Sequence, residues 1–183
     1  MAEVKLEQDV LDNQLLFEKY RFYDRESPLN KFTGAKIQEI INRLLKPYIN
    51  AKPKGFDPNS FYYVLSDDNS LNAFFLPRPD ITPDTEIDYK KIGLTHNPNI
   101  TGKHIICVNR GFIEQCKNED MLAALLAHEI SHYIWGEIKP FGVKEDHSNL
   151  SQETFSDMNG MRLMLEAGYN PHAMTDMFDL FIY

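Results

Sequence analysis

The chain has 183 residues, 43% of them hydrophobic and 25% charged, the balance of a globular domain large enough to bury its own core. Its 27 acidic residues against 19 basic ones give a formal net charge of −8, which argues against nucleic acid or an anionic membrane surface as partner. The longest uninterrupted apolar run, residues 121–127, is too short to cross a bilayer, and the first twenty residues lack the basic-then-apolar order of a secretory signal. A cytoplasmic protein with no membrane insertion is therefore expected. Cys107 and Cys116 are the only cysteines, too few for a disulfide framework, and they read as ordinary buried thiols in a reducing compartment.

Residues 1–30 are polar and acidic apart from Leu11, Leu15, Leu16 and Tyr20, which suit a short packing helix or a partly ordered arm. Between 35 and 45, Ile37, Ile40, Ile41, Leu44 and Leu45 recur at helical spacing, and Pro47 is expected to end that helix. Residues 61–65 (FYYVL) have the aromatic and β-branched content of a strand. The cluster Asp67, Asp68, Asn69 and Ser70 then predicts a turn, and residues 71–76 (LNAFFL) predict a second strand paired with the first. Residues 77–103 carry Pro77, Pro79, Pro83 and Pro98 with no sustained period, an unusually long excursion for a small domain. A strand is expected over 104–108 (HIICV) and a short helix over 111–116.

Residues 118–135 (NEDMLAALLAHEISHYIW) predict the helix around which the rest is arranged. Asn118 can cap it, and Glu119 and Asp120 place negative charge in its first turn, where the helix dipole favours it. Leu122, Leu125, Leu126, Ile130, Tyr133 and Ile134 make it apolar nearly all round, the pattern of a core helix. In that apolar setting His128, Glu129 and His132 cost free energy unless something satisfies them. His128 and His132, four apart, leave the same face and can grip one ion. Glu129 is rotated by roughly 100° from His128 and can reach a water on that ion without binding it. This H-E-x-x-H spacing suits zinc, with the Glu as general base of a peptidase.

Past a connecting loop over 139–147, Ser148 or Asn149 can cap a helix over 150–167 that Gly168 stops. Leu150, Phe155, Met158, Met161, Leu163 and Met164 are expected to form its buried surface. A last helix over 171–181 is amphipathic through Met174, Met177, Phe178 and Phe181. A catalytic zinc site needs a third protein ligand. Glu153 and Asp157 share one face of the 150–167 helix, and Glu153 is favoured as ligand, with Asp157 accepting the N–H of a ligating imidazole. His147 is the rival third ligand, and a solvated acidic face is the bland alternative for the pair.

The stretches SLNAFFLP at 70–77, HIICVNRGF at 104–112, LAALLAHEISHY, and ETFSDMNGMRLMLEAGYNP at 153–171 together resemble the HtpX-like gluzincin metallopeptidases over about residues 61–175. The resemblance implies an α+β, zincin-like fold in which a small mixed sheet packs on the buried H-E-x-x-H helix, followed by a Glu-bearing helix. It makes His128, His132 and Glu153 the ligands of one zinc ion, Glu129 the general base and acid, and Asp157 their supporting partner. It also places the strand containing Asn72, Ala73 and Phe74 at the rim of the cleft, where an extended peptide can add as a further strand. Ser156 stands where the family commonly has Ala, the Pro-rich insert replaces a short return, and the membrane helices of many members are missing. His172 and Tyr169 are the candidates for an oxyanion donor, with a structural role as the alternative for each.

The expected organisation is an N-terminal helical region over 1–60 packed on a peptidase core over 61–183 that carries the insert 78–103. The expected function is a zinc metalloendopeptidase acting on protein or peptide substrates. The alternative is a catalytically latent or inactive, metal-stabilised binding domain of the same fold.

Overall fold

Two strands with hardly a polar residue between them fix the centre of the molecule. In the computed structural model, which describes residues 22–24, 27–51, 61–76, 104–134 and 149–182, these are β2 (Phe61–Ser66) and β4 (His104–Asn109). Every residue of both is buried, which is why their sequences run apolar without alternation. They pair in parallel, with Phe61 opposite His104 and Leu65 opposite Val108. β1 (Phe22–Asp24) flanks β2 antiparallel and β3 (Ala73–Leu76) flanks β4 antiparallel, so the sheet is mixed, with the order β1-β2-β4-β3. A strand thus lies within the span expected to be helical, and residues 1–21 and 77–103 lie outside the described residues.

The expected pairing of β2 with β3 is incorrect, because β4 lies between them. The two strands flanking β4 stand roughly 9–10 Å apart, a distance a tight hairpin turn does not bridge. Residues 67–72 instead straddle the end of β4. The Asn109 backbone N–H donates to the Asn72 carbonyl (2.9 Å) and that of Gly111 to the Asp68 carbonyl (3.0 Å). The Asn109 side chain donates to Ser70 Oγ (2.8 Å) and accepts from Ser66 Oγ (2.6 Å). At Gly111 an added Cβ would sit 2.0 Å from the Asn69 carbonyl oxygen, so this close passage requires glycine.

Five helices complete the described fold: α1 (Gly34–Ala51), α2 (Arg110–Gln115), α3 (Glu119–Tyr133), α4 (Asn149–Ala167) and α5 (Ala173–Ile182). α3 is the predicted core helix. Its Asn118 cap accepts from the Met121 N–H at 3.0 Å, and one run from Met121 to Ala127 is wholly buried between the sheet and the other helices. α1 does not stop at Pro47 but continues through it. An interior proline costs about 3 kcal/mol, and packing beyond it offsets this: Tyr48 and Ile49 lie against the core, and the Tyr48 hydroxyl meets Asn159 (3.4 Å) and Arg162 (3.0 Å) on α4.

α4 corrects the expected buried surface. Leu163 and Met164 are buried, but Met158 is 65% and Met161 40% exposed. The inward stripe is Ser156, Asn159, Gly160, Leu163 and Met164, and the first three, small or polar, let α4 approach α3 closely. At Gly160 an added Cβ would lie 3.3 Å from the His128 backbone nitrogen and 2.9 Å from the Met174 methyl. Beside it, Asn159 Nδ2 donates to Ser131 Oγ (2.9 Å), which donates to the Ala127 carbonyl (2.7 Å). α4 ends as predicted at Gly168, with φ +79°.

Candidate metal centre

The close contact of α3 with α4 sets Glu153 and Asp157 over the face of α3 that carries His128 and His132. The two His Nε2 atoms are 3.0 Å apart. Glu153 reaches both rings, with Oε2 3.3 Å from His128 Nε2 and Oε1 3.6 Å from His132 Nε2. Donor atoms around a tetrahedral zinc with bonds of about 2.0–2.1 Å lie roughly 3.3–3.4 Å from one another. The three side chains therefore fit one such ion, and among the described residues they form the one cluster of this kind. His147 lies outside the described residues.

Hydrogen bonding fits the same group. His128 Nδ1 faces Asp157 Oδ1 at 2.9 Å. A carboxylate only accepts, so Nδ1 is the donor, and in a neutral ring Nε2 is left with its lone pair on the side of Glu153 and His132. Burial, followed by the neighbouring His128, pulls the His132 imidazole down to about 4, so at neutral pH it is an uncharged donor of the form a metal takes.

Glu129 stands apart from the ligand set. It is 5% exposed, at the floor of a cleft of about 760 Å³ that also contains His128, His132, Glu153 and Asp157. Burial first, and the charge of Glu153 second, push its carboxyl up to about 8. A dication beside it would favour the ionised form and draw that value back toward neutrality, the range in which a carboxylate serves as a general base.

One wall of the cleft is β3, the edge strand of the described sheet. Asn72, Ala73 and Phe75 line it; Phe74, between the last two, is in register with Cys107. An apolar wall is made of Leu125 on α3 with Met177, Phe178 and Phe181 on α5. Sequence reasoning missed Phe75 and this wall. The signal for Phe75 was strand alternation from Ala73, and that for α5 was an aromatic surplus at a helix end. Neither oxyanion candidate is among the residues that line the cleft. The Tyr169 hydroxyl donates to Glu119 at 3.2 Å and Asn170, two residues before His172, bonds Asp120. Both contacts are at the opening turn of α3, roughly 12 Å along the helix from His128.

A family model described as peptidase family M48, the HtpX-like peptidases, matches residues 96–138, which take in β4, α2 and the whole of α3 with its H-E-x-x-H. The match is partial and ends before α4, so Glu153 and Asp157 stand on the geometry above. Comparison with curated proteins finds no match. No helix among the described residues is long and apolar enough to cross a membrane.

Proposed function

We propose that this chain, which carries the M48 peptidase match over residues 96–138, is a zinc-dependent metalloendopeptidase of the gluzincin type. His128, His132 and Glu153 hold the ion, Asp157 fixes the tautomer of His128, and Glu129 is the general base. The observation that carries the reading is Glu129 itself: a carboxyl taken out of water at a cost, set beside three converging donors but not among them. A site that served only to stabilise the fold would need no such group, and would close on the ion with four protein ligands rather than the three found among the described residues.

A zinc ion held by His128, His132 and Glu153 would supply a Lewis acid that lowers the pKa of a water to about 7 and polarises a carbonyl. Glu129 takes one proton from the attacking water at its carboxylate. It then returns that proton to the departing amine, so the peptide bond breaks with no net change in the protein. The open edge of β3, which begins at Ala73 beside the cleft, offers backbone groups to which an extended substrate can add as a strand.

The test is zinc content and cleavage of an unfolded protein substrate in the wild type and in Glu129→Gln. The variant should fold and keep its zinc while losing activity by roughly 100- to 10,000-fold, the usual contribution of a general base. Loss of zinc would make Glu129 a ligand, and full activity would remove it from the mechanism.

A further inference from the structure

The candidate ligands come from two helices, His128 and His132 from α3 and Glu153 from α4, so the centre depends on how α4 is set along α3. Apolar contact through Leu163 and Met164 holds the two together but is non-directional, and does little to fix their register. A directional tie runs beside it. Arg162 on α4 donates to the Tyr48 hydroxyl on α1 (3.0 Å), and Tyr48 donates to Asn159 Oδ1 (3.4 Å). Asn159 Nδ2 donates to Ser131 Oγ (2.9 Å), and Ser131 donates to the Ala127 carbonyl (2.7 Å). A guanidinium only donates and a carbonyl only accepts, so the two ends set the direction of every bond between them, and with it the orientation of the Asn159 amide.

Helix stability does not account for this chain. Asn159 and Ser131 are both buried, and Asn and Ser are poor helix formers. A serine bonded back to the carbonyl four residues earlier does not strengthen a helix either. Apolar side chains of the same size could fill the space at little or no cost, but they would supply no direction. The place where the chain ends suggests its purpose. Ala127 and Ser131 bracket the turn of α3 that carries His128 and Glu129 and leads into His132, while Asn159 lies two residues beyond Asp157. Ser156, buried in the same seam with no hydrogen-bond partner, makes no such tie.

We infer that Asn159 is a positioning residue for the metal centre. Through Ser131 it locks α4 against the His128-bearing turn of α3, and so holds Glu153 and Asp157 where they meet the two imidazoles. Tyr48, which α1 reaches only by continuing through Pro47, orients its amide. The inference rests on the metal centre of the peptidase reading but not on turnover.

The test is zinc affinity by competition with a chelator, read beside the melting temperature of the metal-free chain. Asn159→Leu combined with Ser131→Ala removes both partners of the central bond. This variant should melt close to the wild type yet bind zinc about 10-fold more weakly, the lower end of the loss for a group behind a metal ligand. Asn159→Asp, which accepts from Tyr48 but cannot donate to Ser131, should weaken zinc as well. Ser156→Ala should leave the affinity unchanged. If the double variant does not fold, Tyr48→Phe decides, since it removes one hydroxyl from a half-buried side chain and should weaken zinc by roughly 2- to 10-fold. Unchanged affinity in the folded variants, a loss only in step with a lowered melting temperature, or an equal loss in Ser156→Ala overturns the inference. A wild type that binds no zinc refutes the centre and this inference with it. Zinc binding with the expected pattern but no cleavage refutes the peptidase reading and leaves the positioning role standing.

Discussion

The two ring nitrogens of His128 have separate tasks: Nδ1 is tied to Asp157 at 2.9 Å, and Nε2 faces Glu153 and His132. Asp157→Asn replaces a charged acceptor with a neutral amide that can also present its NH2 to the ring. We expect metal affinity to fall by roughly 10- to 100-fold with the fold intact, the usual cost of changing a group behind a ligand. Competition with a chelator measures it, and an unchanged affinity would show that Asp157 does not orient the ring. At this scale the sequence was most informative where the chemistry is local. His128 with His132, and Glu153 with Asp157, are four-residue pairs whose shared face follows from helix geometry alone. That Glu153 meets both histidines, or that Phe75 and Phe178 reach the same cleft, depends on how separate elements meet, and no local pattern carries that.

Among the elements, the seam between α3 and α4 decides whether the centre forms. Gly160 sits against the His128 backbone, three residues beyond Asp157 and next to Asn159, which hydrogen-bonds Ser131. Gly160→Val would push the helices apart or force off-rotamer packing, with an expected loss of roughly 1–3 kcal/mol. It should also weaken metal binding, because Glu153 and Asp157 move with α4. Denaturant unfolding and zinc titration of this variant check both effects, and a destabilised protein with unaltered zinc affinity would mean that the seam and the site are independent. The hydrophobic reading of α4 chose Met158 and Met161 because apolar size is the usual mark of a core face. Here close approach mattered more than apolar size, so the face was carried by Ser156, Asn159 and Gly160. The β2–β3 pairing failed for a related reason. A turn-rich cluster between two strands indicates a reversal of the chain, but not whether a third strand will occupy the gap.

For the molecule as a whole, the centre concentrates titratable groups whose pKa values burial shifts in opposite directions. In the metal-free protein Glu129 is raised from 4.5 to about 8, so between these values the folded state holds a proton that the unfolded state has released, and stability falls as pH rises. His132 is lowered from 6.5 to about 4, so its contribution has the opposite sign and rises with pH over that window. The two oppose each other up to about pH 6.5. From there to pH 8 only the loss remains, about 2 kcal/mol from this one buried carboxyl. Thermal or denaturant unfolding of the metal-free chain across this range should show the decline, and saturating zinc should remove it, since metal bound by the native state alone adds stability. A metal-free protein that grows more stable from pH 6.5 to 8 would contradict this picture of the cleft. The central claim, that two imidazoles and one carboxylate grip a single zinc, is tested most directly by X-ray absorption at the zinc edge on the metal-loaded chain. The account predicts one zinc per chain with two imidazole scatterers and the remaining first neighbours oxygen, all near 2.0–2.1 Å. That spectrum should persist in Glu129→Gln and lose one oxygen-bearing protein ligand, with a weakened affinity, in Glu153→Ala. Sulfur scattering near 2.3 Å, a single imidazole, or a spectrum and affinity indifferent to Glu153→Ala would contradict it.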